Sequence, residues 1–269
     1  MSSGIQQRRK GTTKTTKEIL DTLHYCGENN HSIPLSGAVQ FEEAELPIPA
    51  YIFGAWLGDG HSETARIEVI KRFSDYAETI GAKFRVISCN YGSKAKTYSI
   101  SGGENLHIKL KSLGVLKNKH IPEIYLLASI EQRRELLRGL MDTDGCIDAR
   151  KPCCEIIQKR KSLALEIMRI IRSLGMACSL SEKIVKERSY WRITFRANFN
   201  CFTIKRKSDR YKEQKKNNAS ASRFIVSVTP VVTRPVRCIT VDSQSHLYLA
   251  SESFVPTHNS TPCFPSPPY

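Results

Sequence analysis

Tyr51-Ile52-Phe53-Gly54-Ala55-Trp56-Leu57-Gly58-Asp59-Gly60 and Leu137-Arg138-Gly139-Leu140-Met141-Asp142-Thr143-Asp144-Gly145 are two versions of one pattern. In each, an apolar stretch predicts a helix with a small residue inside it, Gly54 or Gly139, and an acidic residue followed by glycine ends it. Glycine within a helix costs stability unless the missing side chain serves a purpose. Here the purpose is close approach. Two such helices can pack against each other and deliver one carboxylate each, Asp59 and Asp144, to the bottom of a shared interface. A single Asp-Gly at a helix end is an ordinary turn; two copies 85 positions apart within a repeat argue for a paired role.

The repeat extends outward from both motifs. A β-type run follows each (Ala65 to Ile70; Cys154 to Gln158), then an amphipathic helix ending at Gly81 or Gly175. Two more strands follow (Lys83 to Cys89 and Thr97 to Ser101; Met176 to Val185 and Tyr190 to Arg196). The expected fold class is α/β, built as a twofold repeat. Gly60 to Gly81 spans 21 positions and Gly145 to Gly175 spans 30, so the first copy is shorter by 9, through a short natural loop or a deletion. Ahead of the repeat, residues 1–48 begin basic and Thr-rich, offer a short helix from Lys17 to Leu23, and end in a loop marked by Gly27, Pro34 and Gly37. Residues 208–223, rich in Lys, Asn and Ser, read as a linker.

Composition narrows the partners. The chain has 269 residues, 40% hydrophobic and 25% charged, which is the balance of a globular protein. No apolar run approaches the roughly 18 residues of a membrane helix, so no membrane partner is expected. The formal charge of +15 predicts a polyanionic partner, most simply duplex DNA held through its phosphates. Nine scattered cysteines, an odd count, do not form a disulfide framework, and the adjacent Cys153-Cys154 lacks zinc-site spacing. Reduced thiols in an intracellular, cytoplasmic protein are expected.

Residues 49–207, divided into repeats 49–130 and 131–207, resemble a LAGLIDADG homing endonuclease of the dodecapeptide type. The second motif matches closely; the first has Leu57 and Gly58 where the family often has Asp and Ala. The resemblance implies a monomeric pseudo-twofold saddle, αββαββα twice, that cuts both strands of double-stranded DNA. It places the acidic ligands of Mg2+ (or Mn2+) on Asp59 and Asp144, since hard divalent cations take oxygen ligands. It also implies a catalytic lysine in each half, Lys119 and Lys207, with Lys205 as the alternative to the latter. DNA contacts would come from Lys94, Lys96, Arg192, Arg196 and Lys205. A relative of this fold that binds DNA or RNA without cutting is the alternative function.

The C-terminal run resembles a second family. Arg237-Cys238-Ile239-Thr240-Val241-Asp242, then Ser245-His246-Leu247-Tyr248-Leu249-Ala250, ends in Thr257-His258-Asn259-Ser260. That sequence resembles the C-terminal splicing segment of inteins, a partial all-β (Hint-type) unit at residues 224–259. Asn259 can cyclise on its own carbonyl and release Ser260, with His258 assisting the proton transfer. Cys238, with Thr257 before His258, resembles the intein class in which an internal Cys accepts the upstream segment before Ser260 does. Residues 1–48 would be the remnant of an N-terminal splicing half that is otherwise missing. Splicing would then need a separate N-terminal fragment, and strands Phe224 to Val232 and Val236 to Val241 would lack most of their β-partners. Residues 260–269 read as the downstream flank, and Ser260-Thr261 fits insertion in a phosphate-binding loop such as that of a phage or bacterial replicative helicase, which would make the chain bacterial or phage-encoded. The Pro-rich end suggests a truncated or frameshifted reading frame.

Overall fold

A computed structural model describes residues 12, 14–59, 70–89, 96–102, 106–148, 153–211, 222–233, 235 and 239–258. In chain order the elements are α1 (Thr16–Asp21), β1 (His24–Tyr25), β2 (Glu28–Asn29), β3 (Ser32–Pro34), α2 (Ala50–Asp59) and α3 (Ile70–Thr79). There follow β4 (Lys83–Cys89), β5 (Lys96–Ser101), α4 (Leu106–Ser112), α5 (Glu123–Leu126), α6 (Ile130–Thr143), β6 (Gly145–Ile147) and β7 (Cys154–Gln158). The chain continues through α7 (Lys161–Ser173), β8 (Cys178–Val185), β9 (Arg188–Phe195), α8 (Lys205–Ser208), β10 (Ser222–Phe224), β11 (Leu247–Ala250) and β12 (Val255–His258). The fold is mixed α/β. From α6 to α8 the order is helix, two strands, helix, two strands, helix.

The central feature is α2 against α6. A Cβ on Gly54 would stand 2.1 Å from the Leu136 carbonyl oxygen, and one on Gly139 would stand 2.2 Å from that of Tyr51. Tyr51 and Leu136 are themselves 85 positions apart, so the two contacts are reciprocal. Both glycines are there because backbone meets backbone, as helices with small residues at the crossing allow. α6 begins at Ser129, whose side chain accepts from Gln132 N while Gln132 answers to the Ser129 backbone, a capping box. Leu136, Leu137, Leu140 and Met141 are fully buried along it.

β6, β7, β9 and β8 form an antiparallel four-stranded sheet in that order. Cys154, Ile156, Ile193 and Phe195 alternate toward the core, where α7 covers them with Leu163, Ile167, Ile170 and Ile171. β4 and β5 form a hairpin in the first half. The strand expected over Ala65 to Ile70 lies outside the described residues except for Ile70, which opens α3 instead.

Residues 39–48, read from sequence as the end of an N-terminal remnant, are bound to this core. Val39 N donates to Ser173 O at 2.8 Å, and the Gln132 side chain bonds both Ala44 N (3.0 Å) and Ala44 O (2.6 Å). Arg133, with no exposure, donates to Ala128 O, Ser173 O, Ser173 Oγ and Val39 O. Burial pushes its guanidinium down to about 10, so it remains protonated at neutral pH.

Two expectations for the outer segments need correction. Residues 24–34 hold three short strands rather than a loop: β1 and β2 turn through Cys26 and Gly27, both at positive φ, and β3 pairs with β10. A two-residue hairpin turn of this kind is hard to recognise without Asn-Gly or Asp-Gly. Conversely, the strands expected over Phe224 to Val232 and Val236 to Val241 reduce to β10, with residues 225–233 and 239–241 irregular and 236–238 outside the described residues. Their β-branched residues favour a strand only where a neighbour supplies hydrogen bonds and cover. Val231 and Val232 are 84% and 82% exposed.

Candidate functional site

The last turns of α2 and α6 meet. A Cβ on Gly58 would stand 2.0 Å from Thr143 Oγ1 and 3.4 Å from the Asp144 carboxyl carbon. Asp144 caps α6, its N–H donating to Leu140 O at 3.0 Å, and Asp59 is the final residue of α2. The fold thus brings the Asp144 carboxyl beside the residue preceding Asp59; the Asp59 side chain lies outside what is described.

Both expected lysines arrive at these helix ends. Lys119 Nζ donates to Trp56 O (3.1 Å) and Leu57 O (2.8 Å). Lys207, 7% exposed, donates to Met141 O (2.9 Å), Asp142 O (2.7 Å) and Gly145 O (2.7 Å), with Thr143 O at 3.4 Å. Trp56 and Leu57 stand in the same motif positions as Met141 and Asp142. Carbonyls at a helix C-terminus lack intrahelical partners and carry partial negative charge, which an ammonium satisfies. Lys205 does not reach this position: it is exposed and paired with Asp209 at 2.9 Å.

Two residues not singled out in the sequence complete the second half. Gln158, buried at the end of β7, donates Nε2 to Asp144 Oδ2 at 3.0 Å and so fixes one carboxylate oxygen. Asp142, buried within the second motif, accepts from Tyr51 Oη (2.7 Å), Thr203 N (2.9 Å), Ile204 N (3.2 Å) and Thr203 Oγ1. It therefore pins the loop that leads to Lys207, and burial pushes the Tyr51 phenol up. Asp142 carried a signal, since it is the acid that the first motif replaces with Leu57. Gln158 carried none, because only the pairing of β6 with β7 brings it to Asp144.

Among the described residues no cluster of three or more His, Cys, Asp or Glu gathers as a metal cage. The donor chemistry fits a hard divalent cation all the same: the Asp144 carboxylate lies where the ends of α2 and α6 adjoin, and α2 ends in a second acidic residue, Asp59.

The expected DNA-contacting residues are placed unevenly. Arg192 lies on β9 on the face opposite Ile193, with Nε 3.6 Å from Glu155 Oε2, and Arg196 follows that strand exposed. Arg188, Ser181 and Lys183 share the face, and Ser179 Oγ meets Thr194 Oγ1 at 2.7 Å on it. Lys96 opens β5, and Lys94 is outside the described residues. Of the splicing residues, Thr257 and His258 end β12, while Cys238, Asn259 and Ser260 are outside the described residues. His246, a further unassigned neighbour, stands edge-on to His258 with ring centroids 6.1 Å apart.

Comparison with known proteins bears on both parts of the chain. Residues 120–228 match the homing endonuclease family. The replicative DNA helicase DnaB of Mycobacterium intracellulare is 38% identical over 272 residues, covering 95% of this chain and 43% of that protein. That of Mycobacterium leprae (strain TN) is 60% identical over 37 residues, 14% of this chain and 6% of the relative. The chain therefore spans less than half the length of the curated relatives it matches. Among solved structures, I-DmoI in complex with DNA and Ca is 13% identical, with 62% of this chain and 97% of that one covered and a TM-score of 0.43.

Proposed function

We propose that residues 49–207 form a metal-dependent endonuclease that cuts both strands of duplex DNA, a pseudo-twofold unit carried within an intein-derived chain. The carrying observation is the meeting of the α2 and α6 ends, which sets Asp144 beside Gly58 and puts a lysine on equivalent carbonyls of each helix. The homing endonuclease match over residues 120–228 supports the same reading.

Asp59 and Asp144 would hold Mg2+ or Mn2+. When bound, the cation activates water and neutralises the departing oxygen of the phosphodiester. Gln158 orients the Asp144 carboxylate toward the gap between the helix ends. Lys207 closes the end of α6 and keeps Asp144 in register, and Lys119 does the same for α2 while adding positive charge. The outer face of β8 and β9, with Arg188, Arg192, Arg196 and Lys183, offers donors suited to phosphates and to base edges in the major groove. A single chain supplies both halves, so the active form is a monomer.

The test is a supercoiled plasmid carrying the mycobacterial helicase coding sequence with the matched segment removed. Linear product in Mg2+ or Mn2+ and none in EDTA is expected. Binding without cutting under every metal condition would replace this reading with the non-cleaving one.

For the C-terminal segment we propose residual splicing chemistry. His258, with His246 at its side, assists cyclisation of Asn259 and release of the peptide from Ser260. Cys238 and Ser260 accept the upstream segment if a separate N-terminal fragment is supplied. The match to a helicase of more than twice this length supports a host of that kind. Intact mass at neutral pH reads the cleavage: loss of Ser260–Tyr269 is expected, and retention of those residues in Asn259→Ala.

A further inference from the structure

The two lysine loops are held by different means. Asp142 fastens the Lys207 loop through the backbone N–H groups of Thr203 and Ile204. The corresponding position of the first motif is Leu57, which offers no acceptor side chain. The Lys119 loop is instead gripped from α7, an element of the second repeat. Arg160, at the N-cap of α7, makes no side-chain cap there. Its guanidinium donates Nη1 to Asn118 Oδ1 (3.0 Å) and Nη2 to Lys117 O (2.8 Å). Six residues later Glu166 Oε2 accepts from Ile121 N at 2.7 Å.

These bonds bracket Lys119 on both sides. Lys117 sits at φ +59, a left-handed backbone state that side chains rarely adopt and that persists only where the surroundings impose it. Arg160 bonds the carbonyl of that same residue. Burial pushes the Glu166 carboxyl up, while the Ile121 N–H and nearby His120 act in the opposite direction. Its place is therefore maintained against a desolvation cost, as a group with a positioning task would be.

Resting on the endonuclease reading, we propose that Arg160 and Glu166 are positioning residues for Lys119. They perform for the first half-site what Asp142 performs for the second. The half-sites are thus coupled: α7, which covers the sheet of the second repeat, also sets the ammonium at the end of α2. Loosening that grip impairs one half-site more than the other, whereas general destabilisation impairs both.

The experiment is strand-resolved cleavage by the full chain, with each strand of the plasmid-derived duplex labelled separately in Mg2+. Arg160→Ala/Glu166→Ala slows one strand by about tenfold or more relative to the other, since small misplacements of reacting groups cost that much. It is the strand that Lys119→Met slows. Glu166→Gln alone, which keeps an acceptor oxygen for Ile121 N, leaves the wild-type ratio in place, whereas Glu166→Ala alone shifts it toward that of the double variant. Equal slowing of both strands, or an unchanged ratio, overturns the proposal. Hydrogen exchange is read alongside: residues 117–121 lose protection in the double variant while α6 keeps its own. Unchanged protection of that loop also overturns the proposal. A wild-type chain that cuts neither strand, with the exchange change present, sinks the endonuclease reading and leaves the grip itself established.

Discussion

From Ile48 to Lys207 the chain is organised around fully buried residues such as Phe53, Leu136, Leu140, Ile156 and Ile170; among the described residues at 12–47 and 222–258 none is buried. Both regions contain regular elements, but they are stabilised differently. In the first, side chains interlock across α2, α6, α7 and the four-stranded sheet, so backbone pairing and apolar burial reinforce each other. In the second, three two-stranded pairs (β1–β2, β3–β10, β11–β12) make backbone hydrogen bonds with little beneath them. Such pairs are marginal in isolation. Preorganised chemistry is confined to the first region: the helix ends rest on a packed core, while the segment leading to His258 has its apolar side chains still uncovered. The proposed N-terminal splicing fragment would be the natural cover.

Substitutions that act on the two regions should therefore differ in size. Lys207→Met should have the largest effect, about 4 kcal/mol, because it takes the shared ammonium from the carbonyls of Met141, Asp142 and Gly145. Thermal unfolding checks it, and a loss under about 1 kcal/mol would mean that water replaces the ammonium. Gly139→Ala comes next, at about 3 kcal/mol or roughly 10 °C in Tm, since the new methyl meets the Tyr51 carbonyl and Ala55 nitrogen rather than a movable side chain. Gly58→Ala should cost only about 1–2 kcal/mol, because the obstacle is the Thr143 side chain. It should nonetheless depress DNA cleavage beyond that stability loss by displacing Asp144, and proportionate losses would separate Gly58 from the site. Smallest is Val231→Ser, within about 0.5 kcal/mol by calorimetry, since 84% exposure leaves little to lose. A large destabilisation there would erase the distinction between the two regions.

The parts legible in the sequence were those with a local signature. Gly54 and Gly139 inside apolar runs announced a close helix pair, and the Gly-ended amphipathic helices appear as α3 and α7. β8 and β9 were visible from β-branched and aromatic spacing. The site was half legible: Asp144, Lys119 and Lys207 stand at the helix ends, whereas Gln158, Asp142 and the Arg160–Glu166 grip depend on contacts across 14 to 91 positions. Local patterns carry no trace of such partners. β3, and its pairing with β10, were missed for the same reason, since two three-residue strands about 190 positions apart are defined only by each other.

The most direct test of the central claim uses Asp144→Asn, which alters one carboxylate and leaves the packing of α2 on α6 in place. Linearisation of the plasmid in Mg2+ would be compared with that by the unaltered chain at matched thermal stability. The two-carboxylate account predicts a fall of about 100-fold or more, equivalent to roughly 3 kcal/mol of lost transition-state stabilisation. An unaltered rate of linearisation would contradict it.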